Sequence, residues 1–434
     1  MNMGGKLGAG RHHGVRAIGL MTAVVALVGA ACGSSSTAPA SSSGTTSVGS
    51  NTIPSGLSAT SFTSDISTTM SGFKALTEYA TKEANSLQVG VILPDTTSST
   101  RYVDFDAPYL TDAFADAGYT TSQFRIDNAQ GSDATELDDA TADINLGAKV
   151  LVMDPLDGPT GIAIAQLAES KGVTLISYDR ATFQGSDTYY VSFNNEEVGT
   201  LIGNGFLTCL TSEGISNAQV FVLNGGEDTD PNAISFAEGY NKAVWGQEAK
   251  SVTAGAKSTT GGATLVDENF APGWSNTAGG NIFTQELTAA PTINASIEAN
   301  DGLASAVITA LQKTTVKAGS FPTTGQDATA QGMAYILEGW QCGSVYKAVY
   351  QEAQDAVSMA TILLAKDKVP AALLNGTTTD PANASITEPA SLLTPVWVTK
   401  ANMETTVVKD GFDAASAICA LVTPATLCAT DGIS

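Results

Sequence analysis

Nine residues with strong hydrogen-bonding or stacking chemistry fall in polar loops that follow short apolar runs. They are Arg101, Asp179, Arg180, Asp230, Asn232, Trp274, Asn300, Asp327 and Lys347. Carboxylates accept hydrogen bonds, Arg and Lys only donate, and Asn does both. An aromatic ring covers apolar C–H surface. A neutral polyol satisfies this inventory, since each hydroxyl both donates and accepts on a ring with apolar faces. Mixed signs also hold a buried pocket near neutrality, which lowers the penalty on each charge. A phosphate or an amino acid fits less well. Singly, each residue has a plainer explanation. An Asp beside an Arg is commonly a weak surface pair, and a lone Trp commonly packs a core. Asp228, Asp230 and Asn232 have the spacing that opens a calcium-binding loop. Ala233 stands where that loop needs Gly, however, and Gly239 where it needs Glu. Joint placement after the apolar runs carries the polyol reading.

Several other chemistries are excluded. The only two His, His12 and His13, lie in an N-terminal segment expected to be removed. Ser–His–Asp, Cys–His and HExxH sites are therefore unavailable. There is no CxxC, P-loop or GxSxG motif. Lys and Arg number 20 against 43 Asp and Glu, a net charge of -23, which opposes nucleic-acid binding. The acidic excess has the ordinary consequence of solubility. Hydrophobic residues make up 43% of 434, enough for a large core.

The elements that must position these loops are legible. The runs VGVIL (89–93), FRI (124–126), AKVLVM (148–153), VTLISY (173–178), YYVSF (189–193), AQVFVL (218–223), ATLVD (263–267) and ASIEA (295–299) read as strands. Between them, Leu137, Ala140 and Ile144 mark one helix face, and Leu303, Val307 and Leu311 another. Alternating apolar runs and helices predict βαβ units and parallel sheets, and the length fits two α/β lobes. Ligands of such sheets sit beyond the strands' carboxyl ends, where the polar loops lie. A further short helix is expected over 64–84, from Phe73, Leu76 and Tyr79.

Lys6, Arg11 and Arg16 precede a small-apolar run, Ala17 to Ala31, and then Cys32. This reads as a lipoprotein signal over 1–31 with the lipid on Cys32, although Gly29 replaces the usual aliphatic residue. An ordinary secretory signal is the alternative. Residues 33–60 form a Ser/Thr/Gly/Pro tether. Export favours disulfides among the remaining cysteines. Cys419 with Cys428 closes a short loop, which leaves Cys209 with Cys342; free buried thiols are the alternative.

The segments VLVMDPLDG, GVTLISYDR, YYVSFNNEEVG, APGWS, AND, TGQDA, SVYK and LLTPVWVTKANMETTVVKDGF follow one another between about Gln88 and Phe412. In this order the stretch resembles the type I periplasmic sugar-binding proteins of ABC transporters, closest to the D-xylose-binding family. The resemblance implies a two-lobed α/β fold with a three-segment hinge near 193–195, 345–347 and 394–396. The first lobe would comprise 87–192 plus 347–393, and the second 193–346 plus 394–434, after a tether at 32–86. It implies ligand-binding roles for Arg101, Tyr102, Asp179, Arg180, Asp230, Asn232, Trp274, Asn300, Asp327 and Lys347. Tyr102 replaces the family's usual Trp, Ala348 a Pro, and Pro231 separates Asp230 from Asn232. The smaller Tyr102 ring bears on pentose against hexose selection, a discrimination of roughly 1–3 kcal/mol.

The implied protein is a monomeric, lipid-anchored, extracytoplasmic carrier with no cofactor, no metal and no enzymatic activity. It would bind a monosaccharide, D-xylose or a related aldose such as glucose, and deliver it to an ABC permease by closing its hinge. Two alternatives share the residues. One is a sugar sensor for chemotaxis or signalling. The other is a glycosidase using Asp230 and Asp327 as its carboxylate pair.

Overall fold

A computed structural model describes residues 85–183, 189–366, 368–371 and 373–433. The signal segment, Cys32, the tether and the helix expected over 64–84 lie outside the described residues.

Strands β1 (Val89–Leu93), β2 (Phe124–Asn128), β3 (Val150–Met153), β4 (Thr174–Tyr178) and β5 (Tyr189–Phe193) coincide with the first five apolar runs. They pair in parallel in the order β2-β1-β3-β4-β5. Every residue of β1 and β3 is buried, because helices cover both faces of the sheet. Those helices include α1 (Ala107–Asp116), α2 (Asp133–Leu146) and α3 (Gly158–Lys171). The second lobe is built on β6 (Ala218–Gly225), β7 (Ala263–Ala271) and β8 (Ala295–Glu298), parallel in the order β7-β6-β8. Its helices are α4 (Asn195–Ser212), α5 (Pro231–Trp245), α6 (Asn276–Ala289), α7 (Asp301–Leu311) and α8 (Ala330–Glu338).

Strand β9 (Ser344–Tyr346) leads into α9 (Val349–Leu364), which packs on the first sheet. Two more strands, β10 (Gly376–Thr379) and β11 (Thr387–Leu393), extend that sheet beyond β5. Thr394 and Pro395 then carry the chain to β12 (Val396–Val398), the partner of β9. The sheets are not wholly parallel as expected: β10–β11 and β12–β9 are antiparallel pairs. A short reversal joins β10 to β11, and only adjacent antiparallel strands can be joined that way. The chain closes with α10 (Ala415–Leu421) and α11 (Thr426–Thr430), which pack on α8. Sulfur atoms of Cys209 and Cys342 lie 2.04 Å apart, and those of Cys419 and Cys428 1.96 Å apart, the pairing read from the sequence. No helix among the described residues is long and apolar enough to cross a membrane.

Helix starts follow side-chain chemistry. Ser132, Asp157, Asn194, Asp230, Ser275, Asn300 and Thr329 each accept a backbone N–H of the following turn. Leu303, Val307 and Leu311 are buried as expected. The face expected on α2 is corrected at one position. Ala140 is buried and Ile144 packs beside it, but Leu137 is 37% exposed, and α2 turns Glu136 and Asp143 inward besides. The physical reason is polar: both Glu136 carboxylate oxygens accept the Leu156 N–H, at 3.1 Å, beside the start of α3. Asp143 fills the space above Gly90 on β1.

Candidate functional site

Sheet order in the first lobe reverses at β1, so the loops after β1 and β3 diverge and leave a crevice. A small cavity lies beside it, beyond the carboxyl ends of β1 and β4, lined by residues of both lobes. The loop after β1 supplies Arg101 and Tyr102 from the start of a π-turn (Tyr102–Asp106), a distortion frequent at functional sites. The loop after β4 supplies Asp179 and Arg180. The start of α5 supplies Asn232, and the turn after β7 supplies Trp274. Asn300 follows β8, Asp327 precedes α8, and Lys347 follows β9. All nine line the cavity. Asp230, the tenth residue implied by the resemblance, faces an adjoining groove instead. It accepts the Trp274 indole N–H at 2.8 Å and caps α5 through the N–H groups of Asn232 and Ala233.

Buried ion pairs organise one wall. Arg101 is 2% exposed and reaches Asp106 at 2.7 Å, Glu352 at 2.7 Å and Asp179 at 2.9 Å. Lys347 lies 3.5 Å from Asp179 and 3.6 Å from Asp327. Burial disfavours charge on Asp179, but Arg101, Lys347 and Arg180 outweigh it and hold the carboxyl well below its usual range. Burial has the opposite outcome at Glu352, which it pushes up to about 8 despite Arg101. Burial likewise raises Asp154, whose carboxylate lies 3.6 Å from Arg180. The cations Arg101, Arg180 and Lys347 are each held against carboxylates, Arg101 against Asp106, Asp179 and Glu352, Arg180 against Asp154, and Lys347 against Asp179 and Asp327. The cavity thus presents charges of both signs that are already paired within the protein, together with donors and acceptors for a neutral ligand.

Hydrogen bonds join the lobes across this site. Ser99 Oγ donates to Asp327 Oδ2 at 3.0 Å, and Asn232 Nδ2 donates to the Asp179 carbonyl at 3.0 Å. Tyr190 OH donates to that same carbonyl at 2.6 Å. Tyr102 OH donates to Asp179 Oδ2 at 3.2 Å, while the guanidinium carbons of Arg101 and Arg180 lie 5.5 and 5.7 Å from its ring centre. The Tyr102 ring is thus fixed between cations, one route by which an aromatic side chain is held.

Trp274 owes its position to a glycine. The indole lies against Gly225 at the end of β6, where an added Cβ would overlap the ring. Gly225→Ala is expected to displace Trp274 and to lower ligand affinity by roughly 10-fold or more, while the fold persists. Tryptophan fluorescence and calorimetric titration would show it; unchanged values of both would contradict the placement.

The sequence reading missed four residues of the lining: Ser98, Ser99, Phe236 and Gln326. Ser98 and Ser99 belong to the polar loop PDTTSSTRY, and Gln326 to GQDA, so position after a strand was the available signal. Phe236 lies inside α5 and carries none.

A family model described as a periplasmic binding protein domain matches residues 89–368. The chain belongs to the periplasmic binding protein family. Its solved relatives share the two-lobed fold. A carbohydrate transporter solute-binding protein from Chloroflexus aurantiacus, solved with D-glucose, superposes with a TM-score of 0.64 at 26% identity, covering 76% of this chain and 98% of that one. The D-xylose-binding periplasmic protein of Escherichia coli K12 is 30% identical over 288 residues, which is 66% of this chain and 80% of the relative. The multiple sugar-binding periplasmic protein SbpA of Azospirillum brasilense is 29% identical over 335 residues, 75% of this chain and 89% of the relative. This binding protein therefore has its polar cavity where the fold directs ligands, between two lobes joined by three chain segments.

Proposed function

We propose that this binding protein captures a neutral monosaccharide outside the cytoplasm and presents it to an ABC importer. The buried cavity of internally paired charges, with both donors and acceptors on its walls, carries the reading. Arg101, Tyr102, Asp179 and Arg180 would hold the sugar from the first lobe. Asn232, Trp274, Asn300 and Asp327 would hold it from the second, with Lys347 at the crossing and Asp230 orienting Trp274. Sugar hydroxyls that bridge the lobes favour the closed state only when ligand is present, which couples binding to hinge closure. The D-xylose-binding and glucose-bound relatives support an aldose as the ligand, D-xylose first and D-glucose second. Lipid on Cys32 would tether the carrier to the outer face of the membrane near its permease.

The arrangement favours binding over hydrolysis. Asp230 is engaged by Trp274 and the start of α5, and Asp327 by Ser99 and Lys347. Neither is placed as a free acid or base.

A thermal-shift panel of D-xylose, D-glucose, L-arabinose, D-ribose and D-galactose tests the proposal, since a ligand of the native state raises the melting temperature. Xylose is expected to give the largest shift, and Asp327→Ala is expected to remove it. Silence across the panel, or an undiminished shift in Asp327→Ala, would contradict the sugar site.

A further inference from the structure

Gln326 has no assigned role, yet it is 4% exposed and lines the cavity. Its side-chain oxygen Oε1 is buried without a hydrogen-bond partner. The next residue shares this in part: Asp327 Oδ2 accepts from Ser99, while Oδ1 faces the Lys347 ammonium at 3.6 Å and accepts no hydrogen bond. Buried acceptors nearly always accept a hydrogen bond, so two consecutive cavity-lining residues that each hold one without such a bond call for an explanation.

Backbone geometry shows that the pairing is built. Gln326 bridges Val345 in strand-like fashion, and side chains alternate sides along a strand. Consecutive residues should therefore face opposite ways. Asp327 departs from this at φ 95°, followed by Ala328 at φ 51°, conformations that cost a non-glycine residue energy. With this departure both consecutive residues line the cavity.

We propose that Gln326 is a ligand-binding residue whose Oε1 accepts a hydroxyl of the bound sugar next to the hydroxyl taken by Asp327 Oδ1, so that the two residues together read a vicinal diol. The inference rests on the sugar-binding reading above and adds to it a selectivity device. A ring lacking either hydroxyl leaves a buried acceptor unsatisfied, and such omissions are penalised more strongly than an extra methylene in an apolar pocket.

The test uses the wild type and Gln326→Met, which keeps the length of the side chain and removes its acceptor. Titration calorimetry would be run with the panel aldose giving the largest thermal shift and with each of its monodeoxy analogues. Gln326→Met is expected to weaken binding of the parent sugar by roughly 10- to 50-fold. For one deoxy analogue, and one only, wild type and variant are expected to agree within about 3-fold, because the partner hydroxyl is already gone. A merely structural role would weaken all analogues alike, which would overturn the assignment. Equal affinity of wild type and variant for the parent sugar would overturn it too, while leaving the sugar site standing. A wild type that binds no aldose removes both readings. Melting of the unliganded variant near the wild-type temperature is expected; should Gln326→Met fail to fold, Gln326→Ala takes the same comparison.

Discussion

Replacing Arg101 with Met is expected to cost about 3–5 kcal/mol of stability and to abolish ligand binding. The guanidinium is the shared partner of Asp106, Asp179 and Glu352, and all four side chains are nearly or wholly inaccessible to solvent. Removing it leaves acidic groups facing one another in a medium that cannot hydrate them. Tyr178 still donates to Asp106 at 2.7 Å and Lys347 still faces Asp179, but neither supplies the forked geometry that serves several carboxylates at once. For the same reason Arg101→Lys should rescue little. Denaturant unfolding of both variants measures the loss. An Arg101→Met protein as stable as the wild type would mean that the cluster is held by something other than this cation.

Stability is also expected to fall as pH rises from about 4 to about 8. Burial pushes Glu136 and Glu298 up to about 8, and Asp301 and Asp355 up to about 7. In the folded protein these groups keep their protons near neutrality. In the unfolded chain they lose them near pH 4, so between those limits the unfolded state binds fewer protons and stability declines with pH. The decline begins near the unfolded values and levels off once the folded values are passed. Asp179 acts in the opposite sense, since its folded value is depressed. Its contribution is present above the ordinary Asp value and is lost only as pH falls below it. The greatest stability should therefore lie in mildly acidic solution. Melting temperatures between pH 4.5 and 8.5 test this, and a rise with pH across that range would contradict it. Glu298→Gln should flatten the curve, because the amide oxygen can still accept the Thr324 N–H without titrating.

Strands such as β1 and β3 were legible because parallel strands buried on both faces appear as unbroken apolar runs, whereas half-buried β2 and β7 showed only as the shorter runs FRI and ATLVD. The later strands offered no such signal. Strand β10 reads GTTT and lies at the sheet edge, β11 contains Pro389, and β9 and β12 have three residues each. Leu137 of α2 was misread for a different reason: tertiary hydrogen bonding and packing draw Glu136 and Asp143 inward beside Ala140, and hydrophobic periodicity does not record that. At the site, charged residues and Trp in strand-end loops were identifiable by chemistry and by resemblance to a family. Gln326 was not, because an uncharged amide beside an Asp carries no distinctive signal. Glu352 was equally silent, since its burial is decided by an arginine 251 residues earlier in the chain.

Three residues of the cavity wall, Asp179, Trp274 and Asp327, adopt left-handed backbone at φ 58°, 56° and 95° without being glycine. Glycine at any of the three would relieve the backbone, yet it would delete a side chain on which the fold itself depends. Asp179 is the buried partner of Arg101 and Lys347, Trp274 packs in the core of the second lobe, and Asp327 faces Lys347. The strained backbone is thus held in place by the packing and ion pairs around it. A library screened for thermal survival without ligand should reject glycine at these positions, as should one screened for uptake. Durability and recognition rest on the same three side chains.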